Sequence, residues 1–141
     1  MTNCEFCQIV AGEAPASIVY EDDVSLAILT LRPMSRGHTL VIPKEHAASP
    51  ADLDAETGGH LFKIATEIAG LLKQSEVGCD GVNYWLADGP TAGQEVYHVH
   101  LHVIPRVEGD SIQLDGDRLD PSRSEMDETA KEIRRVSEGT T

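Results

Sequence analysis

Tyr97-His-Val-His-Leu-His-Val-Ile104 is the stretch that decides the fold. Histidine stands at positions 98, 100 and 102, and an apolar residue at 99, 101 and 103. Side chains alternate between opposite faces in an extended strand, so a period of two marks β structure. Val and Leu suit a buried, pleated surface. The pattern predicts a strand over 97–104, with three imidazoles on one face and Val99, Leu101 and Val103 on the other.

Working outward, Val82-Asn-Tyr-Trp-Leu86 reads as a neighbouring strand, and the turn-rich segment 88–93 as the loop between them. Upstream, Leu61, Ile64, Ala65, Ile68, Leu71 and Leu72 fall at helical spacing. Asp52 or Asp54 can cap that helix, while Gly58-Gly59 weakens its first turns. Residues 17–20 and 24–29 are apolar runs split by Glu21-Asp22-Asp23 and read as a hairpin. His38-Thr-Leu-Val-Ile42 is a further strand, stopped by Pro43. Residues 5–11 form a short helix that Gly12 ends. A last helix begins near Asp120-Pro121 with proline at its first position, and Met126, Ala130, Ile133 and Val136 make its apolar stripe. Strands, helix, strands, helix is not a regular alternation. The expected class is α+β: a largely antiparallel five-stranded sheet, one long helix and a C-terminal helix, in one domain over 1–141.

The chain has 11 basic and 24 acidic residues, a formal net charge of -13. That field repels phosphate backbones and disfavours nucleic-acid binding, but a local pocket can still take a small phosphorylated ligand. No stretch approaches the roughly 20 apolar residues that span a bilayer, and the first residues lack a secretory pattern. The expected compartment is the cytoplasm, with no membrane partner. Three cysteines, Cys4, Cys7 and Cys79, argue against a disulfide framework there.

Three imidazoles on one strand face admit two chemistries. They can surround a zinc ion that keeps an open position for water. Alternatively, one neutral imidazole can attack phosphorus and form a covalent intermediate, provided that a hydrogen bond at its other nitrogen fixes the tautomer. The preceding Gly89-Pro-Thr-Ala-Gly-Gln-Glu95 favours the second. Its glycines let main-chain N–H groups approach an anion, and Gln94 can donate to a phosphoryl oxygen.

The segment from Ala92 to Arg106 resembles the signature of the histidine-triad (HIT) family, His-φ-His-φ-His-φ-φ with φ apolar. Arg36-Gly-His-Thr-Leu-Val-Ile-Pro-Lys-Glu-His46 and the opening Cys4-Glu-Phe-Cys-Gln-Ile-Val-Ala-Gly-Glu13 resemble the family too, so the likeness spans residues 4 to about 106. The resemblance implies a nucleotidyl hydrolase or transferase of the purine nucleoside phosphoramidate type. His100 is then the nucleophile on the α-phosphate, with His102, His98 and His38 beside it. Gln94 and the main chain of Glu95 and Val96 would contact the phosphate. Phe6, Ile9, Ile28 and Leu31 would line an apolar base pocket. It further implies a structural zinc held by Cys4, Cys7, His46 and His98, and a possible homodimer through the long helix and the sheet edge. His60 has no matching role and reads as structural.

Two positions depart from the family pattern. Thr30 stands where a carboxylate commonly grips the ribose hydroxyls, and Ala87 where asparagine is common. Both concern substrate recognition. Three alternatives therefore stand beside the leading one: a dinucleoside polyphosphate hydrolase, a nucleotide-binding protein with little turnover, and a zinc hydrolase using the triad as ligands.

Overall fold

The computed structural model describes residues 3–114 and 116–139. Met1, Thr2, Asp115, Thr140 and Thr141, which the expected 1–141 domain includes, lie outside the described residues. The chain forms two compact units, Met1–Ser111 and Ile112–Thr141.

The first unit opens with α1 (Glu5–Val10), followed by the hairpin strands β1 (Ile18–Glu21) and β2 (Ser25–Leu29). Asp22 shapes the hairpin turn: its Oδ1 accepts the N–H of Val24 at 2.8 Å and of Ser25 at 2.7 Å. Strand β3 is Thr39–Pro43, helix α2 is Ala55–Gln74, β4 is Gly81–Trp85 and β5 is Leu101–Arg106. The five strands lie in the order β1-β2-β3-β5-β4, every neighbouring pair antiparallel.

The sheet is buried on both faces, which is why β2 and β3 read as continuous apolar runs. Ala27, Val41, Leu101 and Val103 point to one face, where α2 lays down Leu61, Ile64, Ala65, Ile68, Ala69 and Leu72. Leu26, Ile28, Leu40 and Ile42 point to the other, where they meet Phe6 of α1. Each buried Leu or Ile contributes about 1.5–3 kcal/mol relative to exposure. That burial, together with the cap at Asp54, whose Oδ1 accepts the N–H of Thr57 at 2.7 Å, offsets the helix-weakening Gly58 and Gly59. His60 on α2 pairs with Asp22 at 2.7 Å, and Tyr20 donates to the same carboxylate at 2.9 Å. Burial pushes Asp22 up. The hydrogen bonds from His60, Val24, Ser25 and Tyr20 outweigh it and hold the carboxyl well below its usual range.

Gly37 fixes the entry to β3. Its φ is +90°, and a Cβ there would lie 2.9 Å from Leu72 Cδ2 and 3.0 Å from Val77 Cγ1. Only glycine takes both the left-handed backbone and the contact with α2.

The ends of β1 to β4 differ from the sequence expectation by one residue, β3 taking in Pro43, and two elements differ by more. The ladder of β5 begins at Leu101, not Tyr97. Its pairing with β3 runs through Thr39–Val103, Leu40–His102 and Val41–Leu101. The next step would need an N–H from Pro43, which has none. The Pro43 carbonyl instead accepts from His98 Nε2 at 2.8 Å, and the Val99 N–H goes to Ala47 O at 2.8 Å. The second unit contains α3 (Arg123–Glu138). It starts two residues after the expected proline, because Ser122 and Glu125 form a reciprocal capping box. Met126, Ile133 and Val136 are exposed. Among the described residues, no helix is long and apolar enough to cross a membrane.

Candidate functional site

Residues on the α1 face of the sheet build the site. His102, on β5, lies opposite Leu40, and His38 sits one residue before β3. The Met34 N–H donates to His38 Nδ1 at 3.0 Å, so the His38 proton is on Nε2. That Nε2–H donates to His102 Nδ1 at 2.8 Å, which leaves the His102 proton on its own Nε2. His100 Nδ1 donates to the His98 carbonyl at 2.8 Å, which leaves a lone pair on His100 Nε2. The rings of His100 and His102 are 5.0 Å apart, and Phe6 stands edge-on to His100 at 5.2 Å. A chain of main-chain and imidazole hydrogen bonds thus fixes each tautomer.

Burial lowers the pKa of His38. It lowers that of His102 to about 4, with the nearby His100 and His38 adding to the effect. At neutral pH both are uncharged rings that donate one N–H each.

The second constellation joins α1 to the segment leading into β5. Cys4 Sγ is 3.3 Å from His98 Nδ1, Cys7 Sγ is 3.3 Å from His46 Nδ1 and 3.6 Å from His98 Nδ1. All four ligand atoms lie within 4.8 Å of one another. Tetrahedral zinc with two thiolates and two imidazoles spaces a sulfur and a nitrogen by about 3.6 Å. The donor set and its spacing fit a structural zinc. The Cys7 N–H donates to Cys4 Sγ at 3.4 Å, and His98 Nε2–H donates to the Pro43 carbonyl, turning Nδ1 toward the thiols. His98 is fully buried, and burial lowers its pKa, as a neutral ligand requires.

The expected site residues sort unevenly. Both ring nitrogens of His98 are engaged by the thiol cluster and Pro43, so its imidazole has none left for a substrate; its carbonyl orients His100 instead. Gln94 is buried, with Oε1 accepting from the Gly89 N–H at 2.8 Å and Nε2 donating to the carbonyls of Ala48 at 2.7 Å and Val96 at 3.1 Å. In this arrangement it offers no N–H to a phosphoryl oxygen and braces the loop that the sequence had it serve directly. Among the described residues, no acceptor meets the N–H of Glu95 or Val96. Phe6 and Ile28 are core residues, and Ile9 and Val96 pack against the same cluster. Leu31 is apart from them at 96% exposure, because the chain turns outward after β2. The Thr30 hydroxyl accepts the Arg32 N–H at 3.3 Å. Three contributors escaped the sequence reading: the Met34 N–H, the Pro43 carbonyl and Arg32. The first two are main-chain groups that carry no residue-type signal. Arg32 reaches Glu95 at 2.7 Å across 63 residues of chain. An ion pair this exposed contributes only about 0.2–1 kcal/mol.

A family model described as HIT domain matches residues 11–109. The chain belongs to the HIT family. An HIT-like protein of Methanocaldococcus jannaschii is 40% identical over 131 residues, covering 93% of this chain and 98% of that one. An adenylylsulfatase of Arabidopsis thaliana is 36% identical over 110 residues, 78% of this chain and 55% of the relative. Among solved structures, SMU.412c from Streptococcus mutans superposes with a TM-score of 0.89 at 36% identity, covering 96% of this chain and 86% of the other. A zinc-bound histidine triad protein of Mycobacterium smegmatis superposes with a TM-score of 0.77 at 39% identity, covering 95% and 97%. The metal in that HIT relative agrees with the Cys4, Cys7, His46 and His98 donor set here.

Proposed function

We propose that this chain is a nucleotidyl hydrolase in which His100 forms a covalent nucleotidyl-histidine. The observation that carries the reading is the 2.8 Å bond from His100 Nδ1 to the His98 carbonyl, which aims a lone pair outward from Nε2. That nitrogen attacks the α-phosphorus of a bound nucleotide. The N–P bond forms, the bond to the leaving group breaks, and the leaving group keeps the electron pair. Positive charge then rests on the His100 ring, whose Nδ1–H faces a carbonyl oxygen. Water next attacks phosphorus, the N–P electron pair returns to Nε2, and a nucleoside monophosphate departs. One water proton stays on the new P–OH and the other leaves to solvent.

His102 Nε2–H and the N–H groups of Glu95 and Val96 donate to the phosphoryl oxygens as charge builds. His38 holds His102 in the donating tautomer. Phe6, with Ile9 beside it, provides the apolar surface for the base. Zinc at Cys4, Cys7, His46 and His98 ties α1 to the nucleophile's segment and supplies no chemistry to the reaction. A zinc hydrolase built on the triad is a poorer reading, since only His98 of the three belongs to the donor cluster. The relative named an adenylylsulfatase supports cleavage at an adenylylated leaving group. Phosphoramidates and dinucleoside polyphosphates remain the two substrate types to compare.

The test is direct. Wild type releases AMP from a nucleoside phosphoramidate or a diadenosine polyphosphate, and a quenched sample shows a nucleotidyl mass on the peptide containing His100. His100→Ala falls by at least about a thousandfold and keeps its zinc. Retained nucleotide binding with no adduct and no turnover in the wild type favours a binding protein instead.

Residues 1–141 act in this reading as one HIT domain in the cytoplasm, without nucleic-acid partners. A homodimer fits the exposed edge of β4 and the exposed Phe62 and Leu71 of α2, with Phe62 and Tyr84 rings 5.6 Å apart. Light scattering during size exclusion tests it.

A further inference from the structure

Arg32 and Glu95 stand on the two segments that bracket the imidazole row. Arg32 lies two residues before Met34, whose N–H anchors His38, and Glu95 lies in the loop that leads to His98 and His100. Their side chains meet at 2.7 Å while remaining 84% and 73% exposed. The contact is a single one, from one terminal guanidinium nitrogen to one carboxylate oxygen. Arg106 shows the contrast: Asp110 takes its Nε and one terminal nitrogen, and Asn83 takes the other. The Arg106 fork is locked. The Arg32 fork is held loosely and has donors to offer. In a chain of net charge -13, a loosely held cation that bridges the segments carrying Met34 and the loop before His98 is where an incoming anionic group is drawn.

We infer that Arg32 is the leaving-group cation of this site, exchanging Glu95 for an anionic leaving group on a nucleotide whose α-phosphorus faces His100, and so favouring substrates that release sulfate- or phosphate-type anions over those that release amines. The inference rests on the His100 reading and adds its substrate class. The step balances without acid catalysis. His100 Nε2 bonds to the α-phosphorus, the P–O bond to the leaving group breaks, and its oxygen keeps the electron pair and leaves as an anion paired with Arg32. Water then cleaves the N–P bond as described above. An amine leaving group, by contrast, must gain a proton. The donor that the site provides is the neutral His102 Nε2–H, which burial and its imidazole neighbours keep uncharged down to about pH 4. A neutral imidazole donates a hydrogen bond well but is a poor acid. Glu95, released from Arg32, is left in solvent, where an unpaired carboxylate costs little.

The test compares adenosine 5′-phosphosulfate with adenosine 5′-phosphoramidate, which share the nucleotide and differ in the leaving group. The readout is the ratio of their kcat/KM values in wild type, Arg32→Ala and Glu95→Gln. A lost charge-assisted hydrogen bond to the leaving group lowers the sulfate-to-amine ratio in Arg32→Ala by about tenfold or more. Glu95→Gln, which frees the cation, holds or raises the ratio. A ratio that stays at the wild-type value in Arg32→Ala, whether both rates fall together or neither moves, overturns the inference and leaves the His100 reading intact. No AMP from either substrate with wild type removes the His100 reading, and this one with it.

Discussion

At the scale of single residues, function here depends on which nitrogen or oxygen each side chain has left over. His102 is the clearest case. Its folded pKa is about 4, below the roughly 6.5 of an unfolded histidine. Between those values the unfolded chain binds a proton that the folded chain refuses. The stability contributed by neutral His102 is therefore fully present above about pH 6.5 and is lost as pH falls toward about 4. Urea unfolding of the zinc-loaded protein at pH 7.5 and 5.0 measures this. His102→Asn, which cannot titrate, shows a shallower loss, the difference approaching one proton per chain. Gln94 makes a second case. Gln94→Ala strips partners from the Gly89 N–H and the carbonyls of Ala48 and Val96. Leaving such groups unpaired costs about 1–3 kcal/mol, read as a lower urea midpoint at unchanged slope. Amide exchange at Gly89, whose N–H loses its acceptor, rises in the same variant.

At the scale of elements, α1 is the most dependent piece. A helix of six residues does not hold in water alone. Phe6 and the cysteine-histidine cluster hold it to the sheet. Cys7→Ala leaves two imidazoles and one thiol, so its zinc falls from one per chain to substoichiometric, measured by a colorimetric chelator on unfolded protein. Exchange of the α1 amides rises with that loss, while α2 is spared. The elements also show what the sequence could disclose. The run Leu61 to Leu72 announced α2 because that signal is local, while its start lay between two caps, Asp52 and Asp54, of which Asp54 is the one used. Alternating His98 to His102 showed an extended backbone, yet extension is not pairing. The ladder stops where the partner strand lacks an N–H, at Pro43, some 55 residues away. Near α3 two start signals compete, Pro121 and the Ser122-to-Glu125 box, and the reciprocal hydrogen bonds decide. For the site, alternation pointed to His98, His100 and His102 on one face, and family likeness to the parts given to His100 and His38 and to the four metal donors; the His38–His102 bond was not legible. The sequence could not show where Gln94 aims its amide, that Leu31 turns outward, or that Arg32 meets Glu95, since those depend on distant main chain.

At the scale of the molecule, every group assigned a part in the reaction lies in the unit Met1–Ser111. A chain ending at Ser111 is expected to bind one zinc and to unfold in a single urea transition. A loss of zinc or a broad, multiphase transition counts against the independence of that unit. The acidic surplus belongs to the same scale. A net charge of -13 repels anions at long range, so affinity for an anionic ligand is expected from a few local donors. One residue joins the metal to the chemistry. The carbonyl of His98 orients His100, the proposed nucleophile two residues on, while the His98 ring faces the thiols. A metal there is a spectator with a close view. Replaced by cobalt(II), whose colour follows its ligand field, it becomes a built-in optical gauge of whether His100 is bare or carries a nucleotide.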